Sequence, residues 1–193
     1  MKEMFFIFPK RMTIAIVTVI LLKTIMFFVV FSGYVCIDYR GFSIDNEDNL
    51  YVGMPSVIKV YSDEGEFLRS FSPKTSRGYS FMVEGGEKVL IDTGNKLFIL
   101  DLYGNVLNEI EDGYSKINNS NKFVSNSGNE YVVNNYIFRT SVSLLRDGSK
   151  RTIFKMPALD YIIKLLDWIS DIVLIVLIVI MIISLRSFNR KQY

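Results

Sequence analysis

The sequence predicts a membrane protein of mixed class, in which two transmembrane helices flank an antiparallel, all-β domain of about three four-stranded, propeller-like blades. Two observations carry this prediction. Apolar residues are concentrated in two stretches near the ends of the 193-residue chain, Met12 to Val35 and about Ile162 to Leu185. The residues between them, 37–157, contain a repeat with a period of about 40, which is the length of one four-stranded blade.

The first apolar stretch, residues 12–35, is long enough to be a transmembrane helix. At 1.5 Å per residue it would reach about 36 Å, more than a hydrocarbon core of about 30 Å. A cleaved signal peptide is the alternative, but its apolar part is usually only about 7 to 15 residues long. We therefore expect an uncleaved anchor after a cytoplasmic tail of residues 1–11. The single cysteine, Cys36, follows the anchor, where it is either a small buried residue or a site for intermolecular pairing.

A second helix is expected over residues 159–186, followed by a cytoplasmic tail of residues 187–193. Its uncharged part, Ile172 to Leu185, would reach only about 21 Å, so the helix must use the preceding turns to cross the membrane. Those turns carry Tyr161 and Trp168, which are typical of an interfacial aromatic belt. They also carry charged residues at steps of three or four, which form one polar stripe on a helix: Asp160, Lys164, Asp167 and Asp171.

Two charges are expected at similar depth within the spans. Lys23 lies about 18 Å along its helix from Arg11, and Asp171 lies about 22 Å from Arg186. An ionisable group inside a span costs about 3 kcal/mol on insertion scales. We therefore predict an intramembrane pair between Lys23 and Asp171. The alternatives are snorkelling of both side chains, a proton or ion relay, and a docking point for a partner's span.

Charge and composition indicate where the protein is located and exclude several functions. Basic residues near both chain ends favour a two-span cell membrane protein with both termini in the cytoplasm and the central domain outside the cytoplasm. The net charge of +2 is too small to indicate nucleic-acid binding. The chain has no histidine, which removes the usual general base and most zinc sites. We expect no cofactor and no metal.

The central repeat predicts the β architecture. Three copies begin near Phe42, Phe81 and Phe123. Each copy continues with a polar turn, at residues 46–49, 84–87 and 126–129. A β-rich strand follows, at residues 50–53, 88–92 and 130–134, and then a third strand. A tight glycine turn and a fourth strand complete each copy. The glycine turns contain Gly65, Gly104 and Gly148.

The amino-acid sequences of the first two copies resemble those of a known family. The first copy reads F-S-I-D before its polar turn, N-L-Y-V after it and I-K-V-Y-S-D-E-G-E-F-L in the next hairpin, and the second contains K-V-L-I-D and L-F-I-L-D-L-Y-G-N-V-L. The third matches the spacing. Residues 42–157 thus resemble the NHL-type repeat of six-bladed β-propellers, which implies a binding platform, a scaffold or, occasionally, a hydrolase. Closed propellers need at least four blades, so three are too few to close a ring. We therefore expect completion by a partner, a six-bladed ring formed with a second copy, or an open curved stack.

Residues 89–94 read Val-Leu-Ile-Asp-Thr-Gly, a pattern similar to that of aspartic proteases. Those enzymes need two carboxylates that share a proton, so one motif would require a dimer. Asn95 and Lys96 follow where that family has a small residue, and the repeat requires a turn here. We therefore expect Asp92, Thr93 and Gly94 to form a structural turn.

Two acidic clusters, residues 45–48 and 63–66, lack the ligand spacing of an EF-hand loop, so we expect solvated turns at both. Residues 113–121 are the segment expected to form an exposed loop, and they contain a sequence that could accept a glycan at residues 118–120 in a suitable host.

The function expected from these observations is a non-enzymatic, membrane-anchored binding or scaffold module that lies outside the cytoplasm. It would contact membrane lipid through its spans, and a protein partner or a second copy through its β edges. Two alternatives stay open: an accessory subunit of a membrane transport or secretion complex, and a dimeric aspartic-type protease that uses Asp92.

Overall fold

The computed structural model of the chain describes residues 10–32, 34–75, 78–111, 117, 122–136 and 139–190. The chain separates into two compact units, one of residues 1–35 with 162–193 and one of residues 36–161. Two apolar helices flank three four-stranded antiparallel sheets, so the predicted fold class is confirmed. The sequence at residues 118–120 lies outside the described residues, as does most of the expected loop at residues 113–121.

The helical unit contains most of two long apolar helices. Helix α1 spans Lys10–Phe31 and helix α2 spans Ala158–Arg190. Both are long and apolar enough to cross a membrane. Helix α1 ends before the apolar stretch does: the Ser32 hydroxyl donates a hydrogen bond to the Val29 carbonyl, which is a local interaction that competes with continued helix.

Each sheet is a meander in which the strands follow chain order. The first sheet contains β1 (Gly41–Ile44), β2 (Leu50–Gly53), β3 (Ile58–Tyr61) and β4 (Phe67–Phe71). The second contains β5 (Ser80–Glu84), β6 (Lys88–Asp92), β7 (Lys96–Asp101) and β8 (Val106–Glu111). The third contains β9 (Lys122–Val124), β10 (Glu130–Tyr136), β11 (Arg139–Arg146) and β12 (Ser149–Lys155).

Four of the hairpin turns are capped in the same way by one short polar residue, which is Asp45, Ser62, Asp101 or Ser125. The Asp101 carboxylate accepts hydrogen bonds from the Tyr103 and Asn105 amides at 2.8 Å and from the Asn105 side chain at 2.7 Å. Asp45 makes the same set of bonds to residues 47 and 49. Such side-chain bonds to the backbone favour turns over continued strand.

The first sheet lies between the other two. One apolar cluster joins it to the third sheet, through Leu50 and Val52 on one side and Tyr131 and Val133 on the other. A second cluster joins its opposite face to the second sheet. Because neighbouring residues of a strand point to opposite faces, every residue of β2 is buried. The spatial order of the sheets is therefore third, first, second, and this order differs from their order along the chain.

Candidate functional site

The second sheet has an apolar face that is turned away from the first sheet. Val89 and Ile91 pack toward the first sheet, so Leu90, between them on the same strand, points the other way. Four residues of the first sheet, all in the cluster with the second sheet, have counterparts 39 positions later: Tyr51, Ile58, Val60 and Phe71 correspond to Leu90, Leu97, Ile99 and Ile110. The second sheet thus repeats the apolar surface with which the first sheet contacts its neighbour.

The third sheet ends the stack differently. Its face away from the first sheet carries Lys122 and Glu130, which form an ion pair at 2.7 Å with both side chains partly exposed. Tyr131, next to Glu130, packs in the opposite direction, into the core with the first sheet. An exposed ion pair is well solvated and contributes little to packing. The two ends of the three-sheet stack therefore differ, because the third sheet places an ion pair beside the exposed Val124 on its outer face.

The apolar face of the second sheet is exposed at its outer strand. Leu90 and Leu97 are buried, whereas Ile110 is 40% exposed and the neighbouring Leu107 is 56% exposed. Val106, which begins β8, is also exposed, and all six residues of this strand are accessible. We call Leu107 and Ile110 the outer patch, because Val106 pairs with Leu100 and so lies on the face that is turned toward the first sheet. Exposed apolar side chains on an edge strand are a feature of protein interaction sites.

The equivalent strand of the first sheet, β4, is covered only at its end, where Phe71 is 9% exposed, whereas Phe67 is 57% exposed. The Arg69 side chain in β4 donates hydrogen bonds to the Leu102 carbonyl at 3.1 Å and to the Tyr51 hydroxyl at 3.0 Å. Its guanidinium also lies 5.0 Å from the centre of the Tyr103 ring. The turn between β7 and β8 thus packs on the second half of β4, where Gly104 also lies against Phe71.

The first strands of the three sheets converge on one cavity. It has a volume of about 350 Å³ and is lined by residues of β1, β5 and β9 and by the polar turns that follow them. Asn46 connects these turns, because its side chain donates to the Gly85 carbonyl at 2.8 Å and accepts from the Asn126 amide at 2.6 Å. The cavity wall is therefore held by hydrogen bonds from all three sheets.

Asp48 holds the first and third sheets together in the same region. Its carboxylate accepts hydrogen bonds from the Asn129 side chain at 2.7 Å and from the Ser127 hydroxyl, and its backbone carbonyl accepts one from the Tyr131 hydroxyl at 3.1 Å. Asp45 and Asp48 are 4% and 9% exposed. The expectation of solvated turns is therefore wrong for this cluster, because its carboxylates bind amide and hydroxyl donors within the fold.

Asp92, Thr93 and Gly94 form the turn between β6 and β7. The Asp92 carboxylate accepts a hydrogen bond from the Gly94 amide at 2.7 Å, and the Thr93 hydroxyl bonds with the Lys96 backbone. Gly94 has φ of 87°, a left-handed conformation that suits glycine. The Asp92 carboxylate thus takes part in its own turn. Among the described residues, no group of three or more His, Cys, Asp or Glu side chains could hold a metal ion.

Within the helical unit, Lys23 contacts two aspartates. Its ammonium group lies 2.6 Å from Asp171 and 2.8 Å from Asp167. The structure therefore brings together the two residues of the pair expected from the sequence. Asp167 is a second partner that the pairing argument missed, although it lies four residues before Asp171 in the polar stripe, and this spacing places both on one helix face.

Of the two expected interfacial aromatics, Tyr161 lines a groove of the β unit and Trp168 lies in the helical unit. The groove is formed with Tyr136, Arg139 and Lys155. Tyr136 and Arg139 could not be identified from the sequence alone, because only the pairing of β10, β11 and β12 brings them next to Lys155.

Cys36 begins the β unit and is buried. Burial raises the pKa of its thiol to about 12, so the reactive thiolate is scarce at neutral pH. The thiol donates a hydrogen bond to the Asp38 carbonyl at 3.0 Å. Asp160 is also buried and lies close enough for its negative charge to raise the pKa of the thiol further. These contacts favour a structural role for Cys36 over intermolecular pairing.

Comparisons with known proteins identify no relative by sequence. No protein-family model matches the chain, and no curated protein matches it. Among solved structures, the chain is similar to a streptogramin B lyase structure, with a TM-score of 0.34 and 13% identity over 61% of this chain and 40% of the lyase chain. It is also similar to a protein of unknown function from Bacteroides caccae, with a TM-score of 0.32 and 10% identity over 64% of this chain and 62% of that one. The chain thus spans less than two thirds of the length of either structure, and likenesses this weak carry no argument about activity.

Proposed function

We propose that this protein is a membrane-anchored binding module that presents the outer patch of its second sheet to a protein partner outside the cytoplasm. The observation that supports the proposal is the difference between two equivalent edge strands. The two strands expose apolar residues to a similar extent at their first two positions, but Phe71 of β4 is 9% exposed beneath a turn of the same chain, whereas the matching Ile110 of β8 is 40% exposed.

The outer patch suits a partner that adds a strand or packs on the sheet face. Antiparallel sheets extend readily at an unpaired edge, where main-chain hydrogen bonds provide affinity and alternate side chains provide specificity. The patch offers Leu107 and Ile110 for such contacts. The remaining face, from Leu90 to Ile99, continues the same apolar surface inward.

Site-specific photo-cross-linking in native membranes tests this proposal. A benzophenone amino acid is placed at Leu107 in one variant and at Leu68 in the control. The control is closely matched, because Leu68 is also a leucine, lies 39 residues earlier in β4 and is 44% exposed. We expect an adduct from position 107 and none from position 68. Mass spectrometry then reports whether the captured chain is a second copy or another protein.

Equal adducts at the two positions, or none at either, would contradict the proposed binding surface. Leu107→Lys and Ile110→Lys provide a second test, because a charge on an edge strand discourages pairing. We expect each to abolish the adduct of a cross-linker placed at Val106 while leaving the protein folded.

The orientation is part of the proposal and has its own test. The hairpin between β11 and β12 is exposed, so Ser149→Cys provides an accessible thiol in a chain whose native Cys36 is buried. In intact cells, a membrane-impermeant maleimide should label this variant without lysis. Labelling only after lysis would place the β unit in the cytoplasm instead.

A second candidate function is supported by the charges of the helical unit. Lys23 offers one positive charge to two aspartates, and Asp171 remains more than half exposed. Since an uncompensated charge within a span is costly, a basic residue in a partner's span would complete the cluster, as in an accessory subunit of a membrane complex. Blue-native electrophoresis of Asp171→Asn tests this role: loss of a larger complex is expected, and an unchanged complex would exclude it.

A further inference from the structure

A groove beside the start of helix α2 carries unbalanced positive charge. It has a volume of about 940 Å³ and is lined by Tyr136, Arg139, Lys155, Met156, Pro157 and Tyr161, with Ala158 at the first helical position. No carboxylate is among these lining residues. In the part of the chain that the structure describes, no ion pair involves Arg139 or Lys155.

Strand pairing brings the two cations to the same end of the third sheet. Lys155 pairs with Ser141, and Arg139 lies two residues before Ser141 on the same strand. Residues two apart on a strand point to the same face. Arg139 and Lys155 therefore lie beside each other, and both are exposed.

The groove also lies next to an apolar helix in the chain. Tyr161 belongs to the first turn of α2, and residues 158–183 of this helix are long and apolar enough to span a membrane. The groove is therefore expected at the level of lipid headgroups. Tyr136 is 69% exposed and Tyr161 is 37% exposed, and tyrosines are enriched at this level because their rings are apolar and their hydroxyls polar.

We propose that this groove binds the headgroup of an anionic phospholipid. Arg139 would bind the phosphate with two parallel hydrogen bonds and Lys155 would add a second positive charge. Tyr136 and Tyr161 would pack against the glycerol backbone, and the acyl chains would extend into the bilayer. This inference rests on the membrane anchoring of the proposed function and does not depend on the outer patch.

The single tryptophan provides the readout. Trp168 lies seven residues after Tyr161 on α2, about 10.5 Å further along the helix and on the same face. Lipids with brominated acyl chains quench tryptophan fluorescence on contact. The full-length protein is reconstituted in mixtures of phosphatidylglycerol and phosphatidylcholine, with either lipid brominated in turn. We expect brominated phosphatidylglycerol to quench more strongly than brominated phosphatidylcholine. The binding constant for phosphatidylglycerol should be roughly five times that for phosphatidylcholine.

Two double variants with the same change in charge test the assignment. Arg139→Gln with Lys155→Gln should reduce the relative binding constant to about one. Arg146→Gln with Lys150→Gln removes one arginine and one lysine at the other end of the same hairpin, outside the groove, and should leave the preference unchanged. The preference should also fall with added salt, because exposed charges are screened.

The outcomes separate this inference from the proposed membrane anchoring. Equal quenching by both lipids in the wild type, or the same loss in both double variants, would overturn the lipid site and leave the anchoring intact. If neither brominated lipid quenches Trp168, the helix does not lie in the bilayer, and the anchoring fails together with the lipid site.

Discussion

Replacing Asp48 by glycine separates the role of its carboxylate from the cost of its backbone conformation. The Asp48 backbone has φ of 64°. Three other turns of the β unit have a glycine at the equivalent position, namely Gly65, Gly104 and Gly128. A left-handed conformation costs a non-glycine residue about 1–2 kcal/mol. Glycine would therefore be expected at this position too, unless the Asp48 side chain provides something in return.

The structure shows what the carboxylate provides. Asp48→Gly would remove its hydrogen bonds with Asn129 and Ser127, each worth about 1.5–3 kcal/mol when one partner is charged. It would also remove the carboxylate oxygen Oδ1, which is buried and has no hydrogen-bond partner among the described residues. The relieved backbone strain is offset by the extra freedom of glycine in the unfolded chain. Taking the lower value for each bond and allowing about 1 kcal/mol for that oxygen, we expect a net destabilisation of about 2 kcal/mol.

Asp147 is a matched control. It has φ of 50° in the turn between β11 and β12, and its side chain is exposed. Asp147→Gly removes the same atoms without breaking a contact between sheets, and the extra freedom of glycine in the unfolded chain offsets the relieved strain. We expect its free energy of unfolding to stay within about 0.5 kcal/mol of the wild type.

Pulse proteolysis of the full-length protein in mild detergent, over a series of urea concentrations, measures both variants. With a denaturant slope of about 2 kcal/mol per molar, Asp48→Gly should lower the urea midpoint by about 1 M, and Asp147→Gly should change it little. Combining Asp48→Gly with Asn129→Ala should cost less than the sum of the two single changes, because both remove the same bond. Equal midpoints for the two glycine variants would refute the argument.

Three further predictions concern close contact, charge and pH. Gly104→Ala places a Cβ atom 2.5 Å from that of Phe71 at φ of 88°, and should cost about 3 kcal/mol; Gly94→Ala, at φ of 87° with open space, should cost about 1 kcal/mol in the same proteolysis assay. Lys23→Met leaves both aspartates of the helical cluster without their cation, so the amount of carbonate-resistant membrane protein should fall, and unchanged yield would argue against the cluster. Hydrogen bonds from the Asn105 side chain and backbone amide lower the pKa of Asp101 in the folded protein. The Asp101 carboxylate therefore stabilises the fold at pH values above the unfolded pKa of about 3.9, and this contribution is lost as the pH falls through the lower folded pKa. The difference in urea midpoint between the wild type and Asp101→Ala should therefore shrink between pH 6 and pH 3, and a constant difference would show that the carboxylate charge is not involved.

The local structure of the β unit follows closely from the sequence. Strand β2, predicted to begin at Leu50, and strand β6, predicted to begin at Lys88, have the predicted bounds, and the turns with Gly65 and Gly104 adopt the left-handed conformation that glycine allows. These features depend on neighbouring residues. Alternation of apolar side chains and short-range turn bonds are visible in a single sequence.

The packing of the sheets could not be derived in the same way. The contact of the third sheet with the first depends on side chains such as Leu50 and Tyr131, which are far apart in the chain and fit any neighbouring apolar face. The burial of Asp48 depends on Asn129, in another sheet. The groove cations come together only through the pairing of β11 with β12. Each depends on the arrangement of whole sheets, which local patterns do not encode.

The burial of Cys36 and Asp160 close to each other has a mechanical consequence. These residues lie where the polypeptide enters and leaves the β unit, so a pull on the two flanking segments loads the contact between them before it loads the ladders of the sheets. Tension transmitted between the two ends can therefore bypass the blades.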